Sequence, residues 1–196
     1  MAVEQRLMLR LVMPQTRETY RHGNVRLDAV NAAYAAVQRH GAEGLSLRRI
    51  ADTIGVAHRT LYHHFADREA LLDAIAERGF ERLAAELVPA TDADEFVERY
   101  LGFALDAPGL YALMMSRPHA TMKHKPALQT AAHLSIAEAM RHFTAPGDDP
   151  QQRRRAVMRV LILLHGSLSL YGSGILDQPS HDHFVVETQA LFRTGQ

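Results

Sequence analysis

Between Ser46 and Phe65 the chain gathers side chains suited to one chemistry, the reading of a nucleic-acid duplex. His58, Arg59 and Thr60 stand together, and Tyr62, His63 and His64 follow after one intervening residue. An arginine fork can donate to both O6 and N7 of a guanine, a pairing worth about 1–3 kcal/mol of discrimination against the wrong base. Histidine and threonine can donate to or accept from base edges, while arginine and hydroxyl groups suit phosphates. Two further arginines, Arg48 and Arg49, lie one short helix upstream.

These groups need a scaffold, and the intervening residues supply one. Ser46 is a good N-cap because its hydroxyl can accept from a free backbone N–H of the first turn. Leu47, Ile50, Ala51 and Ile54 then follow at helical spacing and define an apolar face. Gly55 stops that helix, and Val56 plugs the corner. A second helix is expected over about 57–64, anchored by Leu61 and Phe65, with His64 nearer its buried side. Two short helices joined by a three- to four-residue turn with glycine form the helix-turn-helix unit, whose second helix lies in the major groove. An ordinary helical hairpin does not explain so many hydrogen-bonding groups on one short helix.

The stretch Gly55-Val56-Ala57-His58-Arg59-Thr60-Leu61-Tyr62-His63-His64-Phe65 resembles the signature of the TetR family of one-component transcriptional regulators, roughly G-V-S-x-x-x-L-Y-x-H-F. Asp67-Arg68-Glu69-Ala70-Leu71-Leu72 is similar to the opening of that family's fourth helix, with Arg68 at a position where lysine is usual. The likeness is strong over residues 20–82. Ala57 departs from the family's usual Ser or Thr and removes a potential capping hydroxyl. Tyr20 to Arg26, Pro108 to Met114 and Leu164 to Leu170 are similar to a subgroup bearing a Trp-His-Gly motif, although Leu164 replaces the tryptophan and the chain has none.

The resemblance implies an all-α, TetR-like fold of about nine helices that acts as a homodimer on a palindromic double-stranded DNA operator. It implies three segments: an N-terminal arm over 1–22, disordered or helical; a helix-turn-helix domain over 23–68; and an effector-binding and dimerisation domain over 69–196. Ser46, Arg48, Tyr62, His63 and Arg68 would hold phosphates, Arg49 would join them or pair with a surface acid, and His58, Arg59 and Thr60 would read bases. A partly apolar small-molecule effector would release the protein, acting as a repressor, from DNA. Its pocket would draw on Phe96, Tyr100, Phe103, Leu110, Tyr111, Met114, Met115, Met140, Phe143 and His165, with Tyr171 as a second polar group.

Composition is consistent with this. Lys plus Arg and Asp plus Glu both number 22, so the formal net charge is zero. Distribution matters more than the total. From Arg17 to Arg68 there are eight Arg and five acids, an excess of three positive charges at the expected DNA-binding end. The chain has no cysteine, which excludes disulfides and thiolate chemistry. Its first ten residues mix charges with apolar groups too early for a signal peptide, and no apolar run approaches the roughly 20 residues of a membrane span. A cytoplasmic protein is expected. Residues 1–12 have no counterpart in the family lead-in and read either as an arm that touches DNA or as an over-long gene start.

Downstream, helical periodicity is expected over about 24–40, 68–88, 92–105, 108–115, 126–143, 151–171 and 181–193, with no strand pattern. In the helix over 151–171, Val157, Val160, Leu161, Leu164, Leu168 and Tyr171 make one apolar stripe. Ile162, Leu163 and Leu170, with Ile175 beyond, add another. A helix apolar on more than one face must be buried on more than one side, so the last two helices are the expected dimer interface. Two alternatives compete. Twelve histidines, including His119, His124, His133, His142, His181 and His183, allow a metal-responsive regulator, but no His-x3-His pair or dense carboxylate cluster accompanies them. A helical enzyme would need a motif such as H-E-x-x-H or a glycine-rich phosphate loop, and neither is present. No cofactor is expected.

Overall fold

A computed structural model describes residues 24–193; the expected N-terminal arm lies outside them. Among the described residues the chain is entirely helical. The order is α1 (Val25–His40), α2 (Leu47–Ile54), α3 (His58–Tyr62), α4 (Arg68–Leu87), α5 (Ala93–Asp106), α6 (Pro108–Met115), α7 (His119–Met122), α8 (Pro126–Phe143), α9 (Pro150–Gly172) and α10 (His181–Arg193). The helix beyond the expected nine is α7, a single turn opened by Pro118 in a stretch that periodicity leaves blank.

Local chemistry sets the boundaries. Ser46 caps α2 by accepting from the Arg49 N–H at 3.2 Å. Gly55 ends it in the left-handed region at φ 71°, where a side chain would be strained. Asp67 and Asp92 cap α4 and α5 by accepting from the Ala70 and Glu95 N–H groups. Asp149 and Gln152 form a reciprocal capping box at the head of α9. Ala57 gives α3 no side-chain cap, and α3 is shorter than expected. The chain leaves the helix after Tyr62, which puts His64 on the exposed side rather than near the core.

The two ends of the molecule share a continuous core. Ala29, Ala33 and Val37 of α1 pack into it with Leu61, Phe65 and the inner face of α4. The long α4 then runs on against α8, burying Ile75, Leu83 and Leu87. It also meets α6, where Gly79 is a point of close approach: a Cβ there would lie 2.7 Å from the Met114 sulfur. The α6 helix bridges back to α1. Thus α4 and α6 are the two connections between the helix-turn-helix and the larger helical body.

The α9 helix is apolar on two sides, as its sequence predicts. Val157, Val160, Leu164 and Leu168 face inward. Met158, Ile162 and Leu170 remain exposed, with Ile162 at 65%. Ile175 and, on α10, Val186 and Leu191 extend the exposed apolar surface.

Candidate nucleic-acid interface and effector cavity

The recognition segment is built by anchoring two residues and leaving the rest outside. Leu61 and Phe65 are buried against α1 and α2. Arg26 lies over the Phe65 ring, 5.7 Å from its centroid. With those positions inward, Arg59, Tyr62 and His63 are exposed, and Tyr62 is 58% accessible despite its size. Thr60 is half-buried beside them. Arg48 and Arg59 have no hydrogen-bond or ion-pair partner among the described residues.

Four of the expected contact residues already have partners, Ser46 among them through the cap it gives the Arg49 N–H. His58 Nε2 lies 2.7 Å from Asp52 Oδ1, so an acid on α2 orients the first ring of α3. Reading each helix alone does not find Asp52, which reaches His58 across the Gly55 turn. Arg49 Nη1 donates to the Gly44 carbonyl at 3.4 Å. Arg68 is the largest departure from expectation. Its Nε donates to the Leu45 carbonyl at 2.9 Å and its Nη2 to the Ala42 carbonyl at 2.6 Å. Its Nη1 donates to Glu69 at 3.2 Å. With Nη2 also reaching the Glu43 carbonyl at 3.5 Å, a guanidinium turned inward on loop carbonyls braces the α1–α2 loop instead of standing free for a phosphate.

The body holds a half-open cavity of about 320 Å³, at the lower end of the range for small-molecule sites. Of the residues expected to line it, Phe96, Tyr100, Met114, Met115 and His165 do so. Tyr111 sits behind them, its hydroxyl 3.3 Å from that of Tyr100 and 3.2 Å from His165 Nδ1. Burial pushes both phenols upward and keeps them un-ionised. Leu110 and Phe103 are buried outside the lining. Phe143 packs edge-on against Phe96, with centroids 5.3 Å apart, and Met140 lines a separate groove with Pro150 and Val157. Tyr171 is spent on stacking, 4.2 Å from Phe184. The wall also contains Phe80 and Leu83 of α4, Met122 of α7, Ser135 of α8, and Arg117 between α6 and α7. Phe80 and Leu83 bring α4 into the wall, so the helix that reaches the DNA-binding end touches whatever occupies the cavity.

The Arg117 guanidinium donates to Glu69 Oε2 at 2.7 Å and lies 3.4 Å from Asp73 Oδ1. That hydrogen bond holds the Glu69 carboxyl below its ordinary range. Elsewhere, histidines are dispersed. His142 packs on Phe96, His181 on Tyr171, and His183 Nδ1 is 2.6 Å from Gln178 Oε1. Among the described residues no three His, Asp or Glu side chains come together as metal ligands, so the metal-responsive alternative gains no support. No described helix is long and apolar enough to cross a membrane.

A helix-turn-helix with an outward polar face, joined to a larger helical body, defines a class of DNA-binding transcriptional regulator. Residues 29–75 match the family model for bacterial regulatory proteins of the tetR family, and residues 94–192 match the tetracyclin repressor-like C-terminal domain. The chain belongs to the TetR family. Among curated relatives, it is 37% identical over 65 residues to the class A tetracycline repressor from transposon 1721 of Escherichia coli. It is 34% identical over 59 residues to the transcriptional repressor AcnR of Corynebacterium diphtheriae. These matches take in 33% and 30% of this chain, and span only 30% and 31% of the length of those relatives. A solved structure of a protein of unknown function from Rhodococcus sp. RHA1 superposes with a TM-score of 0.72 at 31% identity, covering 91% of this chain and 98% of the other. A tetR-family transcriptional regulator from Streptomyces coelicolor superposes with a TM-score of 0.61 at 17% identity over 87% and 81% of the two chains, a likeness of fold.

Proposed function

We propose that the chain is a homodimeric transcriptional repressor that reads a palindromic DNA operator and is released by a small molecule held in the 320 Å³ cavity. The observation that carries this reading is the outward presentation of Arg59 and Tyr62 on a helix anchored by Leu61. His58, Arg59 and Thr60 read base edges. Ser46, Arg48, Arg49, Tyr62 and His63 hold the backbone. Arg68 supports them from behind. Residues 23–68 serve as the reading head, and residues 69–196 as the effector and dimerisation body.

Dimerisation is assigned to α9 and α10. Their exposed Met158, Ile162, Val186 and Leu191 form apolar surface that a second copy would cover, and α9 already buries its opposite side. Two heads then meet two half-sites one helical turn of DNA apart. Phe80 and Leu83 of α4 line the cavity, so an occupant that fits one α4 position better than another shifts the spacing of the heads.

The test is Arg59→Ala against a selected operator in fluorescence anisotropy. Loss of discrimination at one base position, worth about 1–3 kcal/mol, is expected. Unchanged discrimination at every position would remove Arg59 and the base-reading role of α3.

A further inference from the structure

Among the described residues Arg117 is the only permanently charged side chain in the cavity wall, and its side chain is only 13% exposed. Its Nη1 is committed to two acids of α4, Glu69 and Asp73. Asp73 has a second cation, Lys125, at 2.6 Å. The other edge of the fork is poorly used: Nε and Nη2 share the Ser116 hydroxyl at 3.4 and 3.2 Å. An arginine has five N–H donors and cannot discharge by losing its proton. In a cavity whose other walls are mostly apolar, such a group favours a planar anion that can accept two parallel bonds.

Glu69 gives this arginine a further consequence. The same carboxylate accepts from Arg117 through Oε2 and from Arg68 through Oε1. Arg68 in turn holds the carbonyls of Ala42 and Leu45, which lead into the helix-turn-helix. One carboxylate thus joins the cavity arginine to the arginine that braces the reading head.

We propose that the effector is a carboxylic acid with an apolar body, whose carboxylate pairs with Arg117 in competition with Glu69 and Asp73. This rests on the reading of the cavity as the effector site. The apolar body fills the space beside Phe96 and Met114. The acid draws Arg117 away from α4, Glu69 loses its strongest partner, and the brace formed by Arg68 is loosened. A neutral ligand of the same shape fills the cavity without exchanging partners, and an amine is repelled.

The experiment titrates the full-length protein by calorimetry with decanoate and 4-phenylbutyrate, and with the corresponding alcohols. At least one acid is expected to bind tenfold or more tightly than its alcohol. Arg117→Gln brings the acid down to the alcohol's affinity and leaves the alcohol unchanged, and Arg117→Lys restores part of the difference. Glu69→Gln, which removes a competitor, raises acid affinity severalfold without altering alcohol affinity. Ala139→Leu, which fills the cavity from α8, abolishes binding of both. Equal affinity of acids and alcohols in the unaltered protein overturns the proposal and leaves the cavity reading standing. Failure of every probe to bind overturns both.

Discussion

Gly109 is a point of close approach between α6 and the end of α1, and replacing it with alanine makes a sharp prediction. It is the second residue of α6, directly after Pro108. A Cβ there would lie 2.7 Å from the Val37 carbonyl oxygen, 3.0 Å from Gly41 Cα and 3.2 Å from Gly41 N. All three are backbone atoms at the C-terminus of α1, where the Gly41 N–H donates to the Val37 carbonyl at 2.9 Å. None can rotate aside. Ordinary contact begins near 3.4 Å, so α1 and α6 must part by about 0.7 Å. Overpacking of this kind costs about 1–3 kcal/mol, partly offset by the roughly 0.4–1 kcal/mol that alanine gains from a less flexible unfolded chain. The net loss is about 1–2 kcal/mol, a fall in Tm of roughly 2–8 °C at this chain length. Gly102, inside α5, has nothing within 4 Å of its would-be Cβ. Gly102→Ala should therefore raise Tm by roughly 1–4 °C. Differential scanning calorimetry of both variants decides the matter. If Gly109→Ala is as stable as Gly102→Ala, the close contact between head and body is not as described.

Other predictions concern charge, assembly and pH. Arg48→Ala should weaken operator binding and reduce the salt slope by about one, as expected for a lost phosphate contact. Arg68→Ala should weaken binding with the slope unchanged, because its donors serve Ala42 and Leu45; a shallower slope would return Arg68 to the phosphates. Ile162→Arg should yield a folded monomer in light scattering, since the residue is 65% exposed in the single chain; a persistent dimer would move the interface elsewhere. His142 has a buried Nε2 without a hydrogen-bond partner among the described residues, and burial, with Arg141 nearby, lowers its pKa from the ordinary 6.5. Below that value the unfolded chain binds the proton more readily, so this contribution to stability is present above pH 6.5 and lost as pH falls through the folded-state value. Denaturant titrations of His142→Leu should show a smaller loss of stability on acidification from pH 7 than the parent protein; an identical loss would place the titrating group elsewhere.

The helix-turn-helix was legible in the sequence because its determinants are local. Ser46, Gly55, Leu61 and Phe65 act within a few residues of one another, and their cap, turn and anchors lie where spacing predicts. The long helices were legible for the same reason, from periodicity and from Asp67, Asp92 and Asp149 at their starts. The cavity was legible only in part. Periodicity says that Phe96, Phe143 and Tyr171 face inward, but not which inward neighbour each one meets. Phe143 was taken up by Phe96, and Tyr171 by Phe184. Arg117 carries no periodic signal, and the acids it meets lie 48 and 44 residues away. Arg68 illustrates the same limit in reverse. Its type and position suit a phosphate, while the carbonyls that hold it, 23 and 26 residues upstream, leave no mark in the local sequence.

The most direct test of the account is selection of bound sequences from a random DNA duplex library by the ligand-free protein, repeated at two salt concentrations. A motif of two inverted half-sites about one helical turn apart, with recovery falling steeply at the higher salt, is the expected result. A folded protein that enriches no motif, or only a single half-site, would contradict the assignment of α3 and the α9–α10 surface to a dimeric operator reader.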